Sequence, residues 1–210
     1  MEKGRDSMSA HAKPKASNHP KKGASIKVEP IRDLEAIKRI KALCASNPRD
    51  LCLFTFGINT AYRAGEILTL HVGQVDHLKA GDRLEIKQSK TRKYRAITVN
   101  QMVVDAIGNW LKSHPNPIPD APLFVSKKTS KSLTVAAVHK MLKRWCGEVG
   151  LKGNYGSHTM RKTWGYHQRV QNNQPIALLM AAFGHTTQAQ TMEYLCIQEA
   201  EIQDLYGLEL

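Results

Sequence analysis

The chain has few cysteines, no long apolar run and a shortage of acids, and each scarcity removes a class of protein. Its four cysteines, at positions 44, 52, 146 and 196, form no CxxC pair and have no histidine nearby at metal-ligand spacing. A disulfide framework and a structural zinc site are therefore not expected. No apolar stretch approaches the ~20 residues of a membrane span, and the N-terminus lacks the apolar core of a secretory signal. The sequence reads as that of a cytoplasmic protein without a membrane partner. It contains no internal repeats, which leaves one folded domain plus an extension as the expected organisation of 210 residues. Asp plus Glu number 18 against 31 Lys plus Arg, a net charge of +13. That balance suits a polyanion such as nucleic acid better than an acidic small molecule, although ribosomal and membrane-surface proteins share it.

Residues 1–25 combine Lys, Ser, Pro and Gly with almost no large apolar side chains, and carry six basic residues against two acids. Such a segment cannot offset the entropy of ordering, so it is expected to be a basic disordered tail, with the domain spanning 26–210. From Ile31 the pattern is helical: Leu34, Ile37, Ile40 and Leu43 recur at helical spacing behind Asp33 as a cap, and Asn47-Pro48 opens a second apolar helix through Phe56. A short helix follows Arg63. The period then changes, and Leu84 to Lys87 and Arg95 to Val99 read as strands flanking a polar turn that carries Lys90. Helices are expected from Met102 to Leu111, from Thr134 to Val149, and at 158–171, 175–183 and about 187–196, with Ser157 as a cap, Pro175 in a first turn and Gly184 at a helix end. Leu123-Phe124-Val125 reads as a third short strand. The expected fold is α+β, mainly α-helical with a small antiparallel three-stranded sheet.

Within this frame lie Arg63 in AYRAGEI, Lys90 in SKTRKYR, His158 and Arg161 in SHTMRK, His185 in FGHTT and, nine positions later, Tyr194. Together they match the needs of phosphodiester cleavage. Negative charge grows on the nonbridging oxygens as a nucleophile attacks, and arginine answers it with a permanently charged, two-pronged donor. Lysine and histidine can move protons, and a tyrosine hydroxyl can serve as nucleophile. Taken singly, each residue also has a plain structural reading. Arg63 and Glu66 form a helix pair; Lys90 sits in a solvated basic turn; His158 and Arg161 begin a surface helix; His185 marks a helix stop; Tyr194 is a half-buried core tyrosine.

The order and spacing of these elements resemble the tyrosine recombinases, or phage-type integrases. Those catalytic domains carry Arg in a GLRxxEL-like segment, Lys in a hairpin, HxxR, then GH and a tyrosine nine residues on. The matching positions here are Arg63-Ala64-Gly65-Glu66-Ile67, Lys90, His158-Thr159-Met160-Arg161, Gly184-His185 and Tyr194, and the likeness covers about residues 30–207.

The resemblance implies the recombinase catalytic-domain fold and site-specific cutting and rejoining of double-stranded DNA through a 3′-phosphotyrosine. In that chemistry Tyr194 attacks, Arg63 and Arg161 hold the phosphate, and Lys90 protonates the leaving 5′ oxygen. His158 takes the tyrosine proton or orients the phosphate, His185 donates to the transition state, and Glu66 supports the site. Expected DNA contacts are Lys87, Arg92, Lys93, Arg95 and Lys162. The resemblance implies no cofactor and no metal, a monomer in isolation, a homotetramer on paired sites and a nucleoid-associated location. The C-terminal apolar positions Ile202, Leu205, Tyr206 and Leu208 suit a helix that packs either on a neighbouring protomer or back on its own domain. Lys162 stands where a second histidine is common, and Tyr62 where an aliphatic residue is usual. Many members also carry a helical N-terminal clamp domain, so the chain reads as a short form or a catalytic fragment. The alternatives are a DNA-binding regulator without strand exchange, a DNA-relaxing topoisomerase of like chemistry, and an RNA-binding protein, whose stacking aromatics the strands lack.

Overall fold

The Asp33 carboxylate accepts from the Glu35 amide and so starts α1 (Leu34–Cys44), whose Ala36, Ile37, Ile40 and Cys44 form its buried stripe. The computed structural model to which these elements belong describes residues 27–87, 94–197 and 199–207. Pro48 occupies the first turn of α2 (Pro48–Asn59), where its missing N–H costs nothing. Cys52, Leu53, Phe54 and Phe56 bury α2 on several sides, which makes it the axis of the interior. One turn, α3 (Ala64–Ile67), follows Arg63, and then β1 (Arg83–Lys87) pairs antiparallel with β2 (Tyr94–Thr98). Residues 88–93, including Lys90, Arg92 and Lys93, lie outside the described residues.

After the hairpin, α4 (Gln101–Leu111) packs along α2, capped by Asn100 accepting from the Val103 amide. Helix α5 (Val135–Glu148), capped by Thr134, sends Val138, Leu142 and Trp145 into the same interior, where Trp145 meets the edge of Phe54 at 6.0 Å. Three further helices carry the polar constellation: α6 (Thr159–Val170), α7 (Ile176–Phe183) and α8 (Gln188–Leu195). Leu179 and Phe183 of α7 and Leu195 of α8 join Ala61, from the segment before α3, in a second, smaller cluster, while Met160 of α6 belongs to the main core. At Gly165 of α6, an added Cβ would lie 2.4 Å from Phe183 Cζ, so only glycine lets α7 approach this closely. Gly184 ends α7 in the left-handed region at φ 64°, as its position predicts.

Two local expectations are corrected. The sheet has two strands, not three, among the described residues. Leu123 to Val125 form only isolated bridges at their margins, because other donors and acceptors satisfy their backbone. Leu123 N–H donates to the Leu70 carbonyl, its own carbonyl accepts from the Trp110 indole at 2.7 Å, and the Val125 carbonyl accepts from the Arg49 guanidinium at 2.8 Å. The α6 N-cap position is His158 rather than Ser157, and no side chain caps it. The C-terminal segment, α9 (Glu199–Gln203) with a 3₁₀ turn to Gly207, lies against its own chain through an Arg169–Glu201 ion pair. Among the described residues, no helix is long and apolar enough to cross a membrane.

Candidate active site

Glu66 organises the first wall of the site. Its carboxylate accepts from the Arg63 backbone amide at 2.7 Å and the Arg63 guanidinium at 2.9 Å, and from the Arg95 guanidinium at 2.6 Å. Arg63 precedes α3 in extended conformation with its side chain 39% exposed, so it keeps donor capacity toward solvent. Arg95 is 9% exposed and spans the interior. It donates to the Ala61 and Ala182 carbonyls and stacks over the Tyr62 ring at 4.5 Å. Tyr62, in turn, places its hydroxyl between the Leu84 and Arg95 carbonyls, tying the start of α3 to the hairpin. Arg95 does not take the DNA-facing place expected of it; burial and its three protein acceptors make it a strut instead.

Arg161, one turn into α6, is 1% exposed, with the Phe183 ring 4.8 Å and the Tyr194 ring 5.5 Å from its guanidinium carbon. It donates to the Ala61 and Phe183 carbonyls, so one guanidinium ties α6 to both the segment before α3 and the end of α7. Burial pushes its pKa down to about 9, against the opposing pull of Tyr194, and it remains charged at neutral pH.

His158, Arg161, His185 and Tyr194 meet here. The Tyr194 hydroxyl lies 2.7 Å from His158 Nδ1. Burial raises the Tyr194 phenol above its usual range, while Arg161 and Arg63 oppose that shift. The phenol thus holds its proton until a base takes it, and His158 is in place to do so. His185 stacks on Phe183 at 5.0 Å, and its pKa falls to about 4 through burial and then the charges of Arg161, Arg63 and Arg95. It is neutral near pH 7, and its tautomer follows by elimination. Nε2 sits 3.5 Å from an Arg161 nitrogen, which can only donate, so Nδ1 carries the hydrogen and donates to Thr191 Oγ1 at 3.1 Å; Thr191 passes its own to the Thr187 carbonyl.

Lys162, expected to contact DNA, is 7% exposed and packs inward, its Nζ 5.1 Å from the Tyr194 ring centre and 3.2 Å from Cys196 Sγ. Lys87 remains exposed at the end of β1, with its Nζ 5.6 Å over the Tyr94 ring. Lys90, Arg92 and Lys93 are not among the described residues. Sequence reasoning passes over Tyr62, Thr191 and the Ala61 carbonyl as parts of the site. Among the described residues, no group of three or more His, Cys, Asp or Glu side chains could hold a metal ion.

The phage integrase family's sequence model matches residues 33–201. The probable integrase/recombinase YoeC of Bacillus subtilis (strain 168) is 35% identical over 180 residues, covering 85% of this chain and 95% of that protein. The tyrosine recombinase XerC of Caldanaerobacter subterraneus is 23% identical over 158 residues, 74% of this chain and 43% of its own length. Among solved structures, the XerH site-specific recombinase bound to palindromic difH substrate superposes with a TM-score of 0.72 at 20% identity, over 89% of this chain and 54% of that one. The catalytic domain of bacteriophage HP1 integrase gives 0.58 at 18% identity, over 87% of this chain and 96% of that domain. The chain thus spans nearly all of YoeC and the HP1 domain, and about half of the XerC and XerH relatives. With the family model covering most of the chain and a relative of this identity matched almost end to end, the chain belongs to the phage integrase family of tyrosine recombinases.

Proposed function

We propose that this chain cuts and rejoins double-stranded DNA at specific sites through a 3′-phosphotyrosine on Tyr194. The observation that carries the reading is the 2.7 Å contact between the Tyr194 hydroxyl and His158 Nδ1, one turn before the buried Arg161 on the same helix. Tyr194 oxygen attacks phosphorus as His158 takes its proton, and the bond to the 5′ oxygen breaks. Lys90 supplies the proton to that oxygen. Arg63, with donor capacity toward solvent, and Arg161, fixed by carbonyls, carry the charge developing on the nonbridging oxygens. The phosphotyrosine retains the energy of the broken bond, so a second 5′ hydroxyl can reverse the step on another strand.

His185 has a conditional part. Its neutral tautomer presents an acceptor nitrogen to Arg161, so it donates to phosphate only after gaining a proton. An arriving phosphate favours that gain by opposing the cationic charges that hold its pKa down. Glu66 keeps Arg63 oriented and takes no proton itself. Lys87, with Arg92 and Lys93, contacts the DNA backbone. The protein is a monomer in isolation and acts as a homotetramer assembled on paired sites, associated with the nucleoid. The XerH recombinase, a structural relative seen in a post-cleavage complex with its palindromic difH substrate, supports this reading.

The test is capture of covalent protein–DNA adducts from host-cell DNA, wild type beside Tyr194→Phe, with sequencing of the attached ends. Adducts that require Tyr194 and share a sequence are the expected result. A folded, DNA-binding wild type that forms none overturns the proposal in favour of a noncatalytic binder.

A further inference from the structure

Beside the expected catalytic set lies a buried cation, expected from the sequence to contact DNA, for which the proposed chemistry has no use. Lys162 follows Arg161 on α6, yet its side chain turns into the protein, under the face of the nucleophile's ring. Its Nζ donates to Cys196 Sγ at 3.2 Å. Cys196 caps the C-terminus of α8 in the left-handed region at φ 53°, a conformation that a non-glycine residue holds only when its surroundings fix it. The Cys196 sulfur also lies 3.5 Å from the Tyr194 carbonyl. Lys162 thus touches both ends of the same short segment, the ring of residue 194 and the turn that ends at residue 196.

We propose that Lys162 is a positioning residue for Tyr194, anchoring the end of the tyrosine helix through Cys196 while its charge favours the phenolate face of the ring. This rests on the proposed role of Tyr194 as nucleophile. The physical basis is double. A desolvated cation over an aromatic face restrains the ring's tilt, and the attraction strengthens once the ring becomes anionic. The charged and titratable groups facing Tyr194 are His158, Arg161 and Lys162 from α6, His185 from the end of α7, and Arg63, Glu66 and Arg95 from the start of α3 and the hairpin. Glu193 and Cys196 flank it on its own segment, with Glu193 paired to Lys27. Of these cations, Lys162 is the one anchored to the turn that follows the nucleophile.

The test uses the free, full-length protein with ¹³Cζ-labelled tyrosine and follows the Tyr194 resonance, assigned with Tyr194→Phe, through a pH titration. Lys162→Met keeps length and apolar bulk but loses the charge; Lys162→Arg keeps the charge. The expected result is a Tyr194 midpoint raised by roughly one pH unit in Lys162→Met and returned toward wild type in Lys162→Arg. Adduct formation should fall about tenfold at neutral pH in Lys162→Met and recover as pH rises, since one unit of phenol acidity is a tenfold change in phenolate. An unchanged midpoint in folded Lys162→Met, judged by its melting temperature, overturns the proposal whatever the loss of stability. Wild type that forms no adduct defeats the nucleophile reading instead, because the titration is read without DNA.

Discussion

Glu66→Ala is the perturbation whose size the structure specifies best. The carboxylate is 7% exposed and accepts three hydrogen bonds, two from Arg63 and one from Arg95. The two cations lose unequal amounts. Arg63 is 39% exposed, so water replaces its partner and the loss on that side is about 1 kcal/mol or less. Arg95 keeps its Ala61 and Ala182 carbonyls but is left as a buried charge without a counter-charge, and breaking a buried pair in this way costs about 3–5 kcal/mol. Together these make about 3–6 kcal/mol, and at about 2–4 °C per kcal/mol for a domain of this size the melting midpoint falls by about 6–24 °C. Calorimetry or circular dichroism on Glu66→Ala, Arg95→Met and the double variant reads the effect. In the Arg95→Met background the stranded charge is gone, so Glu66→Ala should cost only about 1 kcal/mol there. Losses that simply add in the double variant refute the assignment of Arg95 as the strut paired with Glu66.

His185 sets an acid limb. Its pKa is 6.5 when unfolded and about 4 when folded, so between those values the unfolded chain binds the extra proton and stability drops as pH is lowered, by about 3 kcal/mol in all. Above pH 6.5 both states are neutral and this contribution is flat; His185→Gln should narrow the difference in urea melts at pH 7 and pH 4.5, with His167, whose pKa burial also lowers, keeping part of it. Lys87→Met should lower the log–log salt slope of DNA binding by about 0.9, whereas Arg95→Met should leave the slope unchanged, as anisotropy titrations across a salt series will show. Gly165→Val drives a side chain into Phe183 and should cost about 1–3 kcal/mol while sharply lowering Tyr194 adduct yield, measured by thermal melting and denaturing gels.

Much of this architecture is legible because apolar spacing and caps act locally. The expected helices at 158–171, 175–183 and about 187–196 fall on α6, α7 and α8 to within a residue or two at each end. The order and spacing of Arg63, His158, Arg161, His185 and Tyr194 can be read because each lies at an element boundary or on a short helix. What cannot be read depends on direction rather than type. Arg95 looks like one more cation in a basic hairpin, yet it stands opposite Ile86 and in phase with Ile97, on the face the sheet buries. That alternation is the available signal, and local charge obscures it. Lys162 gives no comparable sign, since nothing local distinguishes an inward-turning lysine on α6 from an exposed one. The missing third strand has a similar cause: its partners are an indole, a guanidinium and a distant carbonyl, none of which a β pattern anticipates.

The interior holds two clusters of very different size, and Tyr194 belongs to the smaller. Tyr194 packs against Ala61, Leu179, Phe183 and Leu195, while Met160, beside Arg161, is seated in the main core. Releasing α7 and α8 exposes only that satellite, so their amides should exchange with solvent through an opening well below the free energy of global unfolding. Tyr194 and His185 thus ride on the part of the molecule that opens first, and Arg161 would then keep its Ala61 carbonyl but lose its Phe183 one, while Arg63 stays on its Glu66 mount.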